Sequence, residues 1–440
     1  MGKYFGTDGI RGKAGETLTS ETVYHIGKYV GDHFKHGRIV IGMDTRQSSK
    51  GFEEDLCRGI SESSCDVYLL GYCSTPCLAY TTMNEKFSCG IMISASHNPY
   101  TDNGIKIFAN DGFKIGDELE LAIEAYIDDP TGIETGEAGK IVDYSSAVRT
   151  YQEWLLDAYD LDLSGLKICV DLCNGSSCYT AKGVFDRLGG DMTYINDSPN
   201  GTNINNNCGS THLEMLQDFV REHDFILGFA FDGDADRVLF TDENGDVVDG
   251  DKAMYLISKY LKEKGQLSGN KLVTTVMSNI GLYKALEKLG IESDITPVGD
   301  KNVCDSLVRN GYVIGGEQSG HIIYTGDCFF GDGVKTALLV LKIITEYGKS
   351  LKECVSEVKI YPQLLINERV KDKNQVLTDE TIKAKIQEIA DELGNNGRIL
   401  VRPSGTEPLI RVMVEAESDE LCQKYVYEVI DMIRQRGYTA

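Results

Sequence analysis

Short apolar runs alternate with amphipathic stretches along most of the chain. Residues 38–42, 66–70 and 90–93 read as buried strands, and residues 21–36 and 51–63 carry helical spacing. The alternation returns twice. A helical segment from about 147, holding Trp154, precedes apolar strands at 167–171, 225–231 and 238–241. From about 250 come a strand at 271–276, a helix and a strand at 312–315. Strands separated by helices predict parallel βαβ units and an α/β fold class. After Pro362 the pattern changes: strands at 398–401 and 409–414 flank a polar loop, and a helix over 419–434 closes the chain. Boundaries at 1–146, 147–249, 250–362 and 363–440 follow.

The apolar strands deliver polar loops. The run 225–231 leads into Asp232-Gly233-Asp234-Ala235-Asp236-Arg237. Carboxylates at alternate positions fall on one side of an extended segment and repel one another unless a cation lies between them. All-oxygen ligation suits a hard ion such as Mg²⁺. An EF-hand is the rival, since Asp232, Asp234, Asp236 and Glu243 occupy its positions 1, 3, 5 and 12. Arg237 stands where that loop needs glycine, and 238–241 reads as a strand. A solvated acidic turn is the plain alternative.

The strand at 90–93 delivers Ser94-Ala95-Ser96-His97-Asn98-Pro99. Ser96 is the candidate nucleophile or phosphoryl carrier, although a serine in S-x-x-P is often only a turn former. In an extended segment Ser96 and His97 point to opposite faces and make a poor dyad. No G-x-S-x-G elbow occurs, which weakens a hydrolase reading. The start, Phe5-Gly6-Thr7-Asp8-Gly9-Ile10-Arg11-Gly12-Lys13, fails as a P-loop because Thr7 replaces the first glycine and Ala14 the Ser/Thr. A flexible loop placing Arg11 near an anion and a plain turn remain open there. Lys106, on a strand after Asn103-Gly104, reads alone as a solvated lysine.

Two more loops complete the set. Gly316-Glu317-Gln318-Ser319-Gly320-His321 offers groups that read polyol hydroxyls, or a self-satisfied turn. Arg402, Ser404, the Gly405 amide, Thr406 and Arg411 supply forks, hydroxyls and a backbone donor for a phosphate, against the plain reading of a charged hairpin. A strand-end serine, a hard-metal triad, a hydroxyl reader and a phosphate clamp together are the parts of a phosphoryl-transfer enzyme.

Composition narrows the partners. The 440 residues carry a formal net charge of −24, which argues against nucleic acid and anionic membranes. Thirteen cysteines with no CxxC pair, and no leading apolar segment, point to reduced thiols in a cytoplasmic protein. No apolar stretch reaches the roughly 18 residues of a membrane span.

The five motifs, in the order in which they stand along the chain from Phe5 to Arg411, resemble the α-D-phosphohexomutase family over essentially the whole chain. The resemblance implies three related α/β domains and a smaller C-terminal α+β domain around a central cleft. It implies that Ser96 carries the phosphoryl group, and that Asp232, Asp234 and Asp236 bind one Mg²⁺ together with the Ser96 phosphate. Glu317 and Ser319 would read sugar hydroxyls, and Arg402, Ser404, Gly405, Thr406 and Arg411 would hold the distal phosphate. Arg11, His97, Lys106 and Arg237 match positions lining the reaction centre, with Lys106 assisting proton transfer. The implied reaction converts glucosamine 6-phosphate to glucosamine 1-phosphate through a sugar 1,6-bisphosphate, supplying UDP-N-acetylglucosamine synthesis. A homodimer is also implied. A mannose- or glucose-phosphate mutase, a metal-dependent phosphatase and a non-catalytic phosphosugar-binding protein are the alternatives.

Overall fold

The computed structural model describes residues 2–326, 328–404 and 407–439. The chain forms two compact units, Met1–Met277 with Gly290–Ser356, and Ser278–Leu289 with Glu357–Ala440.

The first unit holds three sheets. One has seven strands: β1 (Phe5–Gly6), β2 (Gly9–Lys13), β3 (Arg38–Met43), β4 (Asp66–Tyr72), β5 (Cys89–Ile93), β6 (Asp102–Ala109) and β7 (Ile141–Asp143), in the order β1-β2-β6-β5-β3-β4-β7. The second orders β8 (Lys167–Asp171), β9 (Asp191–Ile195), β10 (Leu227–Phe231), β11 (Val238–Asp242) and β12 (Val247–Val248) as β12-β11-β10-β8-β9. The third orders β13 (Lys271–Thr275), β14 (Glu292–Thr296), β15 (Ile314–Gly316) and β16 (Ile322–Tyr324) as β14-β13-β15-β16.

One four-strand pattern recurs in all three. A strand pairs in parallel with its successor on one side and with the next strand on the other, and an antiparallel strand then flanks the last. Parallel strands are buried on both faces, so β5 and β10 are apolar throughout, as their sequences require. The reversal of strand order leaves a crevice beyond the carboxyl ends of the central pair, where open α/β sheets bind ligands.

The first sheet's core includes Ile39, Ile41, Ile91, Ile93, Ile105 and Ile107 beneath helices α1 (Ser20–His33) and α2 (Ser49–Ser61). Helix α1 stops before 36 because the chain turns out of helical geometry at Phe34, and His36 takes a left-handed φ of 63°. Arg11 sits in neither a flexible loop nor a plain turn: β2 pairs antiparallel with β6, with Arg11 opposite Gly104. The second unit is a three-stranded antiparallel sheet, with β19 (Leu409–Glu415) between β17 (Gln363–Arg369) and β18 (Arg398–Pro403). Helices Glu380–Leu393 and Asp419–Gln435 cover it around Ile389, Val412, Val426 and Ile430. All thirteen cysteines are free thiols. Among the described residues no helix is long and apolar enough to cross a membrane.

Candidate active site

The recurring pattern places three of the sequence motifs at equivalent positions. Ser94–Pro99 follows β5, Asp232–Arg237 follows β10 and Glu317–His321 follows β15, each after the third strand of its repeat. They meet because each strand ends at its own sheet's crevice.

Asp232, Asp234 and Asp236 are buried, and one oxygen from each lies within 4.8 Å of the others. Burial and the neighbouring Asp236 and Asp234 charges push the Asp232 carboxyl well above the usual range. Oδ1 of Asp234 is buried with no hydrogen-bond partner, and Oδ1 of Asp236 has only longer ion pairs, to His321 Nδ1 at 3.6 Å and Arg237 Nε at 3.9 Å. Orphaned carboxylate oxygens are costly to bury, and a hard divalent cation satisfies them with all-oxygen ligation, so these residues fit Mg²⁺. Helix α3 (Thr75–Asn84) begins at the triad, with Thr75 donating its amide to the Asp234 carbonyl at 2.9 Å and its hydroxyl to Asp234 Oδ2 at 2.5 Å.

Ser96 lies against the triad, its Oγ donating to Asp232 Oδ2 at 2.6 Å. The expectation that Ser96 and His97 point apart is corrected. Ser96 has a left-handed φ of 51°, not an extended one, and His97 Nδ1 lies 3.4 Å from its Oγ. Burial, with Arg237 and Arg11 nearby, lowers the imidazole to about 4, leaving it neutral near pH 7.

Cations surround this pair. Lys106 is no solvated lysine. It is 1% exposed and bonds Asp234 at 2.7 Å, Asp8 at 3.0 Å and Asp236 at 3.3 Å. Burial opposes its charge, but those carboxylates outweigh burial and hold it protonated. Burial also opposes ionisation of Asp8, yet Lys106, Lys114 and Arg11 keep its carboxyl well below the usual range. Nε of Arg11 and Nε of Arg237 are buried without hydrogen-bond partners, a pair of donors suited to an anion.

The Glu317–His321 turn closes on itself through Glu317 N to the His321 carbonyl at 3.0 Å. Its side chains are not self-satisfied: Ser319 Oγ is buried with no partner, while Glu317 accepts from Gly299 N at 3.1 Å. Gly320 (φ 91°) is required, because a Cβ there would lie 2.3 Å from the Val238 carbonyl. His321 reaches Asp236 at 3.6 Å and Asp300 at 3.8 Å.

In the second unit Arg402 lies directly opposite Arg411 in the β18–β19 register. Arg411 Nη2 reaches Ser404 Oγ at 3.5 Å, and its Nε is buried without a partner. Gly405 and Thr406, the remaining members of that expected clamp, lie outside the described residues. Lys373 braces the turn by donating to the Ser404 carbonyl at 2.7 Å and to the Glu407 carbonyl at 3.2 Å.

Sequence reasoning missed several residues here. Asp8 links Arg11, Lys106 and Lys114. Asp44 and Arg46, buried as an ion pair after β3, bind the serine loop, and Asn205 donates to the Ser96 carbonyl. Asp8 lies within the glycine-punctuated start Phe5–Lys13, and Asn205 lies in the Asn-rich stretch 200–207, where nothing in the sequence singles it out.

Comparison with known proteins now fixes the class. The chain matches the phosphoglucomutase/phosphomannomutase family: alpha/beta/alpha domain I over residues 2–132, domain II over 143–245, domain III over 249–361 and the C-terminal domain over 365–432. The chain belongs to this family. It is 48% identical to the phosphoglucosamine mutase of Lachnoclostridium phytofermentans, over 100% of this chain and 99% of that one. A phosphoglucomutase/phosphomannomutase family protein from Burkholderia thailandensis superimposes with a TM-score of 0.83 at 23% identity, covering 98% of each chain. The Aspergillus fumigatus N-acetylphosphoglucosamine mutase, crystallised with GlcNAc-6P and magnesium, gives 0.71 at 18% identity over 99% of this chain and 96% of that one.

Proposed function

We propose that the chain interconverts glucosamine 6-phosphate and glucosamine 1-phosphate through a phosphoserine at Ser96 and a glucosamine 1,6-bisphosphate intermediate. The observation that carries the reading is Ser96 Oγ, 2.6 Å from Asp232 at the edge of the acidic triad. The full-length similarity to phosphoglucosamine mutases supports the amino sugar.

Asp232, Asp234, Asp236 and the Ser96 phosphate would hold one Mg²⁺. When bound, that ion neutralises charge on the transferring phosphoryl group. In the first half-reaction the sugar O1 forms a bond to phosphorus, the Ser96 Oγ–P bond breaks, and the O1 proton is passed on so that Ser96 ends as a hydroxyl. In the second, O6 loses its phosphoryl group to Ser96 Oγ and gains the proton. His97 Nδ1, 3.4 Å from Ser96 Oγ, accepts from Arg237 Nη1 at 3.2 Å and so holds that guanidinium beside the serine, and Lys106 stands as the protonated donor. Arg11 and Arg237 offer partnerless nitrogens to the transferring group. Glu317 and Ser319 read sugar hydroxyls, while Arg402, Ser404, Gly405, Thr406 and Arg411 take the phosphate that is not reacting. Four domains with boundaries at 146, 249 and 362 belong to this reading, and it is supported by one sheet lying within each span.

The test is a coupled assay for glucosamine 1-phosphate with intact-mass measurement on the parent and on Ser96→Ala. A parent fraction heavier by about 80 Da, absent with activity from the mutant, is expected. A clear preference for mannose or glucose 6-phosphate would overturn the amino-sugar assignment, and stoichiometric release of inorganic phosphate would overturn the mutase reading.

A further inference from the structure

Ser96 is a non-glycine residue in left-handed geometry, a strained conformation that persists only where its surroundings impose it. What imposes it here is one hydrogen-bond network. The Ser96 carbonyl accepts from Arg46 Nη2 at 2.7 Å and from Asn205 Nδ2 at 2.8 Å. The Asn98 carbonyl accepts from the same two groups, at 2.8 and 3.0 Å. Two donors thus span the same two carbonyls, one on either side of His97.

The amide side is tied into the same network. Ser96 N donates to Ser94 Oγ at 2.9 Å, Ser94 Oγ donates to Asp44 Oδ2 at 2.7 Å, and Arg46 Nε donates to Asp44 Oδ2 at 2.9 Å. Arg46 Nη1 also bonds the Pro99 and Asp102 carbonyls, at 2.5 and 3.0 Å. The amide and carbonyl of Ser96 are therefore both held by side chains, Ser94, Arg46 and Asn205, whose hydrogen bonds among the described residues go to neither its Oγ nor the acidic triad.

The two donors come from different sheets. Arg46 follows β3, beside β5 in the first sheet, whereas Asn205 lies in the connection between β9 and β10 of the second. Asn205 is itself oriented, with Oδ1 accepting from the Cys173 thiol at 2.8 Å and its amide donating to the Cys173 carbonyl at 3.2 Å. The glycine of the acidic motif makes room for this contact. A Cβ on Gly233 would stand 2.6 Å from the Ser96 carbonyl oxygen and 3.0 Å from Asn205 Nδ2.

We infer that Arg46 and Asn205 are positioning residues for phosphoryl transfer: their shared grip on the Ser96 and Asn98 carbonyls aims Ser96 Oγ at the acidic triad. The inference rests on the phosphoserine reading of Ser96. In-line transfer is sensitive to displacements of about 1 Å, which cost on the order of 100-fold in rate. Substrate affinity belongs to other groups, so the effect falls on kcat and leaves KM alone.

Asn205→Ala tests this, because it removes one donor from each carbonyl and leaves the Arg46–Asp44 pair intact. The expected result is a kcat lower by about 10- to 100-fold, with KM for glucosamine 6-phosphate within about twofold and thermal stability near the parent's. A quenched single-turnover measurement on phosphorylated enzyme places the loss in transfer from Ser96. Arg46→Lys is the second variant. It keeps the charge beside Asp44 but lacks the planar fork that reaches several carbonyls, and the same fall in kcat is expected. Both variants together should lose less than the product of their separate losses, since they grip the same carbonyls. A folded Asn205→Ala with parental kcat overturns the inference, as does a kcat loss that tracks lost thermal stability. A parent without turnover on any hexose phosphate overturns the mutase reading, and the inference with it.

Discussion

Arg402 and Arg411 stand directly opposite each other across β18 and β19. Burial, and then Arg411 itself, lower the Arg402 guanidinium from its ordinary value. Like charges at opposed strand positions destabilise a sheet, and an anion lying between them relieves that repulsion. Arg411→Ala should therefore raise KM for glucosamine 6-phosphate by roughly tenfold or more, the loss of a hydrogen bond to a charged group being worth about 1.5–3 kcal/mol. At low salt the variant's unit should melt no lower than the parent's. Steady-state kinetics and melting curves with and without inorganic phosphate check both, and an unchanged KM would remove Arg411 from the phosphate site.

The buried Oδ1 of Asp234, which has no hydrogen-bond partner, makes metal removal a direct probe. Chelation should abolish turnover, and Mg²⁺ should restore it. Asp236→Asn should lower activity by roughly 100-fold or more, because the ion contributes several kcal/mol of charge stabilisation. Calorimetric titration with Mg²⁺ separates the causes: binding heat should vanish in Asp236→Asn and persist in Ser319→Ala.

The motif loops were legible because each is a compact polar word at the end of an apolar strand, and the recurring topology then carries those words to one place. Asp232 to Arg237 after β10 is the clearest case. Read from its own neighbours Lys106 is a solvated lysine, because they are unremarkable, and only the family resemblance put it at the reaction centre; the pairing of β6 between β5 and β2 is what brings it to Asp8, Asp234 and Asp236. Asn205 and Arg46 escaped for a related reason. Their partners are backbone carbonyls of a loop more than a hundred residues from one and fifty from the other, and backbone acceptors leave no mark on the sequence. The left-handed turn at Ser96 likewise belongs to that network and not to the residue type.

Lys106 is buried among Asp8, Asp234 and Asp236, so its removal leaves three carboxylates facing one another. Breaking a buried ion pair from one side costs roughly 3–5 kcal/mol. Lys106→Ala should unfold at clearly lower urea than the parent, and Mg²⁺ should narrow the gap by supplying positive charge to the same oxygens. An unchanged midpoint in metal-free buffer would mean that water already satisfies these carboxylates.

Asp379 gives the second unit an acid-sensitive joint. It caps helix Glu380–Leu393, accepting from Thr381 N at 2.8 Å and Ile382 N at 3.2 Å, and it accepts from the Tyr438 hydroxyl at 2.7 Å beside Arg436. The Tyr438 hydroxyl first, then the two helix amides and Arg436, outweigh burial and lower the carboxyl to about 2. An unfolded aspartate titrates at about 3.9. As pH falls the unfolded chain takes up this proton before the folded one does, so the contribution is complete above about pH 4 and fades towards pH 2. Asp379→Asn keeps a capping side chain but loses the charge. Its melting temperature should lie below the parent's at neutral pH, and the two should converge as pH drops from about 5 to about 2.5. Melting curves across that range decide it, and a constant offset would place the difference in pH-independent hydrogen bonding, with none in the ionised carboxylate.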